Sequence, residues 1–173
     1  MVDPGHPDTV PGQVAAVLRD WLASGATLEA AVTIPSSEHY LMYPLHVASD
    51  GGFSIAAAVW AVGQRTPIHD HGVWGVVGIY QGLEKEVHYK GDAGPSGLSG
   101  PLEATESNVW SPGDVTVCCG GDRDIHQVSC NSDIPCVGIH VYGGDIGRIE
   151  RRTFDRESGA SKLFVSAWAS PGR

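Results

Sequence analysis

From Pro35 onward the chain is a succession of short runs rich in β-branched and aromatic residues, each broken by Gly, Pro, Asp or Asn. No stretch of helical periodicity separates them. The pattern predicts strands at 40–47, 53–62, 74–81, 83–89, 114–118, 126–129 and 137–142, with two more over 148–154 and 163–168. Strands that follow one another without crossover helices pair antiparallel and bury one face against a second sheet, so the expected fold is mainly β, a sandwich or small barrel. The 23 glycines and 11 prolines supply the turns this needs. Residues 91–100 (GDAGPSGLSG) read as a flexible surface loop and not as a domain linker, because strand-like sequence resumes beyond them.

Ahead of this region, Pro11 to Ala23 reads as a helix. Val14, Val17, Leu18, Trp21 and Leu22 fall on one face, Pro11 suits the first turn, and Gly25 follows the end. Thr27 to Val32 suggests a second short helix, capped by Thr27 with Glu29 in its first turn. The expected organisation is a single domain over 1–173, with a helical segment at 1–35 and a β-barrel at 36–173.

Charge narrows the function classes. A net charge of −9, with only 11 Lys and Arg, would repel a phosphate backbone, so no nucleic-acid partner is expected. No apolar run reaches the about 18 residues of a membrane helix. The polar, Pro-rich start lacks the features of a signal peptide, and none of the four cysteines forms a CxxC pair. Reduced thiols in a cytoplasmic protein are therefore expected.

The chemistry concentrates around three histidines. His69 and His71 flank Asp70, and on an extended segment alternate residues face the same side, so two imidazoles can reach one ion while Asp70 points away. A third candidate, His126, stands in GDRDIHQV after PGDVTVCCG. Imidazoles suit Fe, Zn, Cu or Ni, so the ligand type alone leaves the metal open. Three ligands leave positions free, which argues for catalysis over a structural role. Cys118 and Cys119 precede His126 and read as small buried residues that could approach the site.

The segments TPIHDHGVWGVVG, GDRDIHQV and IHVYGGDIGRIERRTF together resemble the cysteine dioxygenase superfamily of cupins, closest to the bacterial branch that includes 3-mercaptopropionate dioxygenases. The resemblance spans roughly Tyr40 to Phe154 and implies a cupin double-stranded β-helix, a jelly-roll barrel. It further implies Fe(II) held by His69, His71 and His126, and the oxidation of a small thiol by O2 to its sulfinate. The family's His and Tyr beside the iron match His140 and Tyr142, and the carboxylate-binding Arg of the mercaptopropionate branch matches Arg151. Arg152 should then point the opposite way. Positions 75–77, where the usual cupin motif carries a Glu, are Gly75, Val76 and Val77, so the ligand set is three neutral imidazoles.

Three positions depart from that family. Val76 stands where animal cysteine dioxygenases have the Cys that crosslinks to Tyr. Gly138 replaces a Ser two residues before the family His. Met42 replaces a substrate-contacting Arg or Gln, which leaves Gln64 and Arg65 as other sources of polar contact with the substrate. Two other function classes fit the same motifs: a cupin isomerase or hydrolase using another divalent metal, and a non-catalytic ligand-sensing cupin. The expected partners are a small thiol and O2, with the protein either monomeric or a homo-oligomer.

Overall fold

The computed structural model describes residue 6 and residues 9–94, 97–118 and 124–170. Cys119, most of the loop leading to Asp124, and the first five residues of the polar N-terminal segment lie outside the described residues.

Helix α1 spans Val10–Ala23. Thr9 caps it by accepting from the Gly12 N–H, Pro11 sits in its first turn, and Gly25 beyond its end takes φ +73°, which only glycine adopts at little cost. The second helix expected over Thr27 to Val32 is instead a 3-10 turn, Ala30–Val32, without a side-chain cap. Just ahead of it, the Leu28 N–H donates to the Tyr80 hydroxyl at 3.3 Å.

Among the described residues eleven strands follow: β1 (Leu41–Val47), β2 (Ser54–Trp60), β3 (Ile68–His69), β4 (Gly75–Gln81), β5 (Glu84–Gly94), β6 (Gly97–Trp110), β7 (Val115–Cys118), β8 (Ile125–Cys130), β9 (Cys136–Tyr142), β10 (Arg151–Phe154) and β11 (Ser161–Phe164). They form two antiparallel sheets, ordered β1-β2-β9-β4-β7 and β11-β10-β3-β8-β5-β6. Seven sequence-predicted strands are present with small shifts of boundary, and the last two are shorter, at β10 and β11. The loop expected over 91–100 is a correction: Asp92 pairs Ser99 and Gly94 pairs Gly97, so the β5–β6 hairpin runs almost to its tip. Strand β6 escaped the sequence reading because it is an edge strand, mostly exposed apart from buried Leu102 and half-buried Leu98, Asn108 and Trp110, and carrying glycines, a proline and charges.

The barrel interior lies between the sheets. Met42, Ala56, Ala58, Trp60, Cys136 and Tyr142 from one sheet pack against Val128 and Cys130 from the other. On β9 the alternation divides two environments. Cys136, His140 and Tyr142 face the interior, whereas Ile139 and Val141 pack outward against Ala15 and Leu18 of α1. All seven β9 residues are therefore buried. Close seating of α1 needs Gly78, where a Cβ would come 2.8 Å from Leu18 Cδ2. An apolar groove of ≈ 720 Å³ lies between α1 and this outer sheet face, away from His69, His71 and His126. No helix among the described residues is long and apolar enough to cross a membrane.

Candidate metal centre

Backbone pairing brings the three histidines together. The two-residue strand β3 pairs β8 with His69 opposite His126, and β10 on its other side with Thr153 opposite His69. His71 follows directly, and the intervening Asp70 faces away as alternation requires. Its carboxylate accepts from the Arg152 N–H at 2.8 Å and from Arg152 Nε at 2.7 Å, which ties β10 to the histidine strand. This pairing aims Arg152 away from the site and leaves Arg151 on the inner side.

Potential ligand atoms of His69, His71 and His126 all lie within 4.8 Å of one another, and all three residues are buried. Each ring is held at Nδ1: His69 by the Pro67 carbonyl at 3.0 Å, His71 by Asp124 at 3.3 Å, and His126 by Glu86 at 2.6 Å. An acceptor at Nδ1 places the ring proton there and leaves the Nε2 lone pair free, the arrangement by which outer carboxylates and carbonyls orient metal-binding histidines. The Nε2 atoms of His71 and His126 face each other at 3.3 Å. That is about the separation of two nitrogens bound 2.0–2.1 Å from one ion at a near-tetrahedral angle. Burial, with repulsion from the neighbouring histidines, holds His69 well below the usual imidazole range. Burial also lowers His71, against the Asp124 hydrogen bond that favours its charged form. Both are thus neutral, the state a metal requires. The residues fit a divalent cation held by three imidazoles.

Two carboxylates behind the ring were not singled out in the sequence. Burial opposes the ionisation of Glu86, but hydrogen bonds from His126, His88 and Trp110 outweigh it and hold its carboxyl far below the ordinary range. For Asp124 the His71 hydrogen bond likewise prevails over burial and lowers it. A signal existed on β5, where Glu84, Glu86 and His88 alternate with Lys85, Val87 and Tyr89. Ordinary alternation would turn the polar residues to water, whereas here both glutamates turn inward and are buried. Cys118 does approach the site, with a ligand atom within 4.8 Å of those of His71 and Asp124.

A small cavity of ≈ 20 Å³ adjoins the three imidazoles, walled among others by Met42, Trp60, His140, Tyr142 and Arg151. His140 Nδ1 lies 2.9 Å from the Tyr142 hydroxyl. Burial pushes Tyr142 up, against the pull of Arg151, so its proton is retained. Arg151 is only 4 % exposed; its Nη2 donates to Ser166 Oγ at 2.6 Å and its guanidinium lies 4.6 Å from the Phe164 ring centre. Its Nε has no partner, and no carboxylate pairs with it among the described residues. Gln64 does not wall this cavity. Its amide donates to the Ser36 carbonyl and accepts from the Ala61 N–H, closing a turn. His46 stacks on Phe53 and lines the outer groove. Tyr40, Met42 and Ser166 wall both the inner cavity and an outer pocket of ≈ 310 Å³, so they form the partition between the site and solvent.

No family model matches the sequence. Among solved structures, an uncharacterised double-stranded β-helix protein from Klebsiella pneumoniae superposes with a TM-score of 0.52 at 10% identity, covering 83% of this chain and 93% of that one. A cupin superfamily protein from Desulfitobacterium hafniense superposes with a TM-score of 0.50 at 14% identity, covering 70% and 93%. At such identities the likeness establishes the fold, which is that of the cupins.

Proposed function

We propose that this cupin is an iron-dependent thiol dioxygenase that converts a small mercapto-carboxylate, 3-mercaptopropionate or a cysteine-like molecule, to its sulfinate. The thiol R–SH takes up both atoms of O2 to give R–SO2H, and no further reductant is consumed. The observation that carries this reading is Arg151, a buried cation with no carboxylate partner among the described residues, at the wall of the cavity that adjoins the three imidazoles. An uncompensated buried charge costs several kcal/mol, and a bound carboxylate would offset that cost.

Ferrous iron bound by His69, His71 and His126 would supply acidification of a coordinating thiol and activation of O2. The protein groups do the rest. Arg151 fixes the carboxylate end with its planar donor face. Three imidazoles add no negative charge, so the site favours an anionic thiolate over a neutral ligand. Tyr142, protonated and hydrogen-bonded to His140, is placed at the cavity wall to donate to the reacting centre. Trp60, Met42 and Val128 keep water out. The cavity is close to the volume of one water, so the substrate is small and the wall yields on binding. Met42, unbranched and with several rotatable bonds, is the wall best able to do so.

The test is to load the metal-free protein with ferrous iron under anaerobic conditions and then add O2 with a thiol panel: 3-mercaptopropionate, cysteine, mercaptosuccinate and cysteamine. Sulfinate and O2 consumption in equal amounts are expected for the carboxylates. A protein that retains iron and gives no sulfinate with any thiol would refute the reading.

A further inference from the structure

Two buried polar atoms on facing strands lack partners and converge on one point. Glu84, on β5, is 1 % exposed, and its Oε1 has no hydrogen-bond partner. His140 Nε2, on β9, has none either. Between them stands Gly138: a Cβ placed on it would lie 2.8 Å from Glu84 Oε1 and 2.8 Å from His140 Nε2. Leaving two such groups unsatisfied costs about 1–3 kcal/mol each. A hydrogen bond between them, direct or through one water in a polar gap, removes both penalties. The missing side chain at position 138 is what leaves room for it.

The direction of that bond follows from the protonation of the two groups. Glu84 is surrounded by Glu86 on its own strand, Cys130 on β8, and Cys136 and His140 on β9. Burial, with repulsion from Cys130 and Glu86, pushes its carboxyl up to about 8, so at neutral pH it carries a proton. Burial, then repulsion from His71, His126 and Arg151, holds His140 down at about 3, so its ring is neutral with one donor and one acceptor. A protonated carboxyl facing Nε2 makes Nε2 the acceptor. The ring proton then sits on Nδ1 and is donated to the Tyr142 oxygen 2.9 Å away. Tyr142's own proton is left unused by His140.

We propose that Glu84 is a positioning residue for Tyr142: its carboxyl donates across Gly138 to His140 Nε2, fixes that ring's proton on Nδ1, and turns the Tyr142 hydroxyl proton toward the metal cavity. The consequence for catalysis rests on the function proposed above; the fixed tautomer of His140 does not.

NMR of ring-nitrogen-labelled histidine on the metal-free protein tests the tautomer, with the His140 signals assigned by their loss in His140→Gln. Wild type at neutral pH is expected to show His140 protonated at Nδ1 alone. Glu84→Gln, whose amide can still donate, keeps that tautomer, whereas Glu84→Leu loses it and mixes the two forms. Should Glu84→Leu not fold, Gly138→Ala fills the gap with Glu84 intact and gives the same mixing. An Nε2-protonated His140 in wild type, or an unmixed Nδ1 form in folded Glu84→Leu or Gly138→Ala, overturns the proposal. In the iron-loaded enzyme Glu84→Leu should lower kcat about tenfold with KM little changed, and Glu84→Gln should restore it. If the tautomer behaves as stated and no thiol is oxidised, the dioxygenase reading fails while the Glu84 assignment stands.

Discussion

Replacing Arg151 with Met separates a residue kept for binding from one kept for stability. The substitution preserves an unbranched side chain and deletes the charge. Two contacts are lost, the Ser166 hydrogen bond at 2.6 Å and the Phe164 ring contact at 4.6 Å. A hydrogen bond to a charged group is worth about 1.5–3 kcal/mol and a desolvated cation–π contact about 2 kcal/mol at most. Against this stands relief of a buried guanidinium with an orphaned Nε and no carboxylate partner among the described residues, itself several kcal/mol. The two sides nearly cancel, so urea denaturation should place Arg151→Met within about 1 kcal/mol of wild type, or above it. Substrate binding has no such compensation. Loss of a charge-assisted carboxylate contact of about 3 kcal/mol corresponds to roughly a hundredfold fall in kcat/KM for 3-mercaptopropionate. Cysteamine, which has no carboxylate, should show no comparable fall. Equal losses for both thiols, or a drop in stability of more than about 3 kcal/mol, would refute the argument that Arg151 is held in the barrel for a substrate anion.

Glu86→Ala removes the acceptor at 2.6 Å that orients His126 and should weaken metal binding about 10–100-fold, measured by competition with a chelator. Glu84→Gln should flatten a pH dependence. The buried carboxyl is raised from 4.5 to about 8, so its contribution to stability is complete below pH 4.5 and is lost as pH rises to about 8. The stability of Glu84→Gln relative to wild type should therefore grow by up to about 5 kcal/mol over that window in urea titrations, and a constant difference would contradict it. Gly78→Ala puts a Cβ 2.8 Å from Leu18 and should cost about 1–3 kcal/mol in denaturation midpoint while metal affinity stays unchanged.

Most of the barrel was legible because β-branched runs between turn residues report burial directly. His69, His71 and His126 were legible because alternation puts two rings on one side and the third is supplied by a strand that pairs with the first. What stayed hidden follows from physics the linear pattern does not carry. Strand β6 is exposed along most of its length, so it has little apolar rhythm to read. Glu84 and Glu86 look like solvent-facing positions until the fold turns that face inward. Ser166, which anchors Arg151, lies beyond the regular strands and reaches the site only because the chain folds back past Met42, with the Ala169 N–H on the Met42 carbonyl. Gln64 looks available beside the histidines in sequence, but it is spent on closing a turn.

His126 is a central rung of the ladder, paired to His69 on one side and to His88 on the other. The imidazole ring is thus assembled by backbone hydrogen bonding and by acceptors already in place at each Nδ1, and it does not wait for an ion to gather it. An ion held there would be gained or lost by ligand exchange behind the Tyr40, Met42 and Ser166 partition, without the barrel having to unfold. Because imidazole suits iron, zinc, copper and nickel, and raw affinity follows the metal and not the site, the occupant of such a centre in an expressed sample would reflect which metal the host had free when the chain was made. Any metal content as isolated would therefore describe the supply, and controlled reloading would describe the protein.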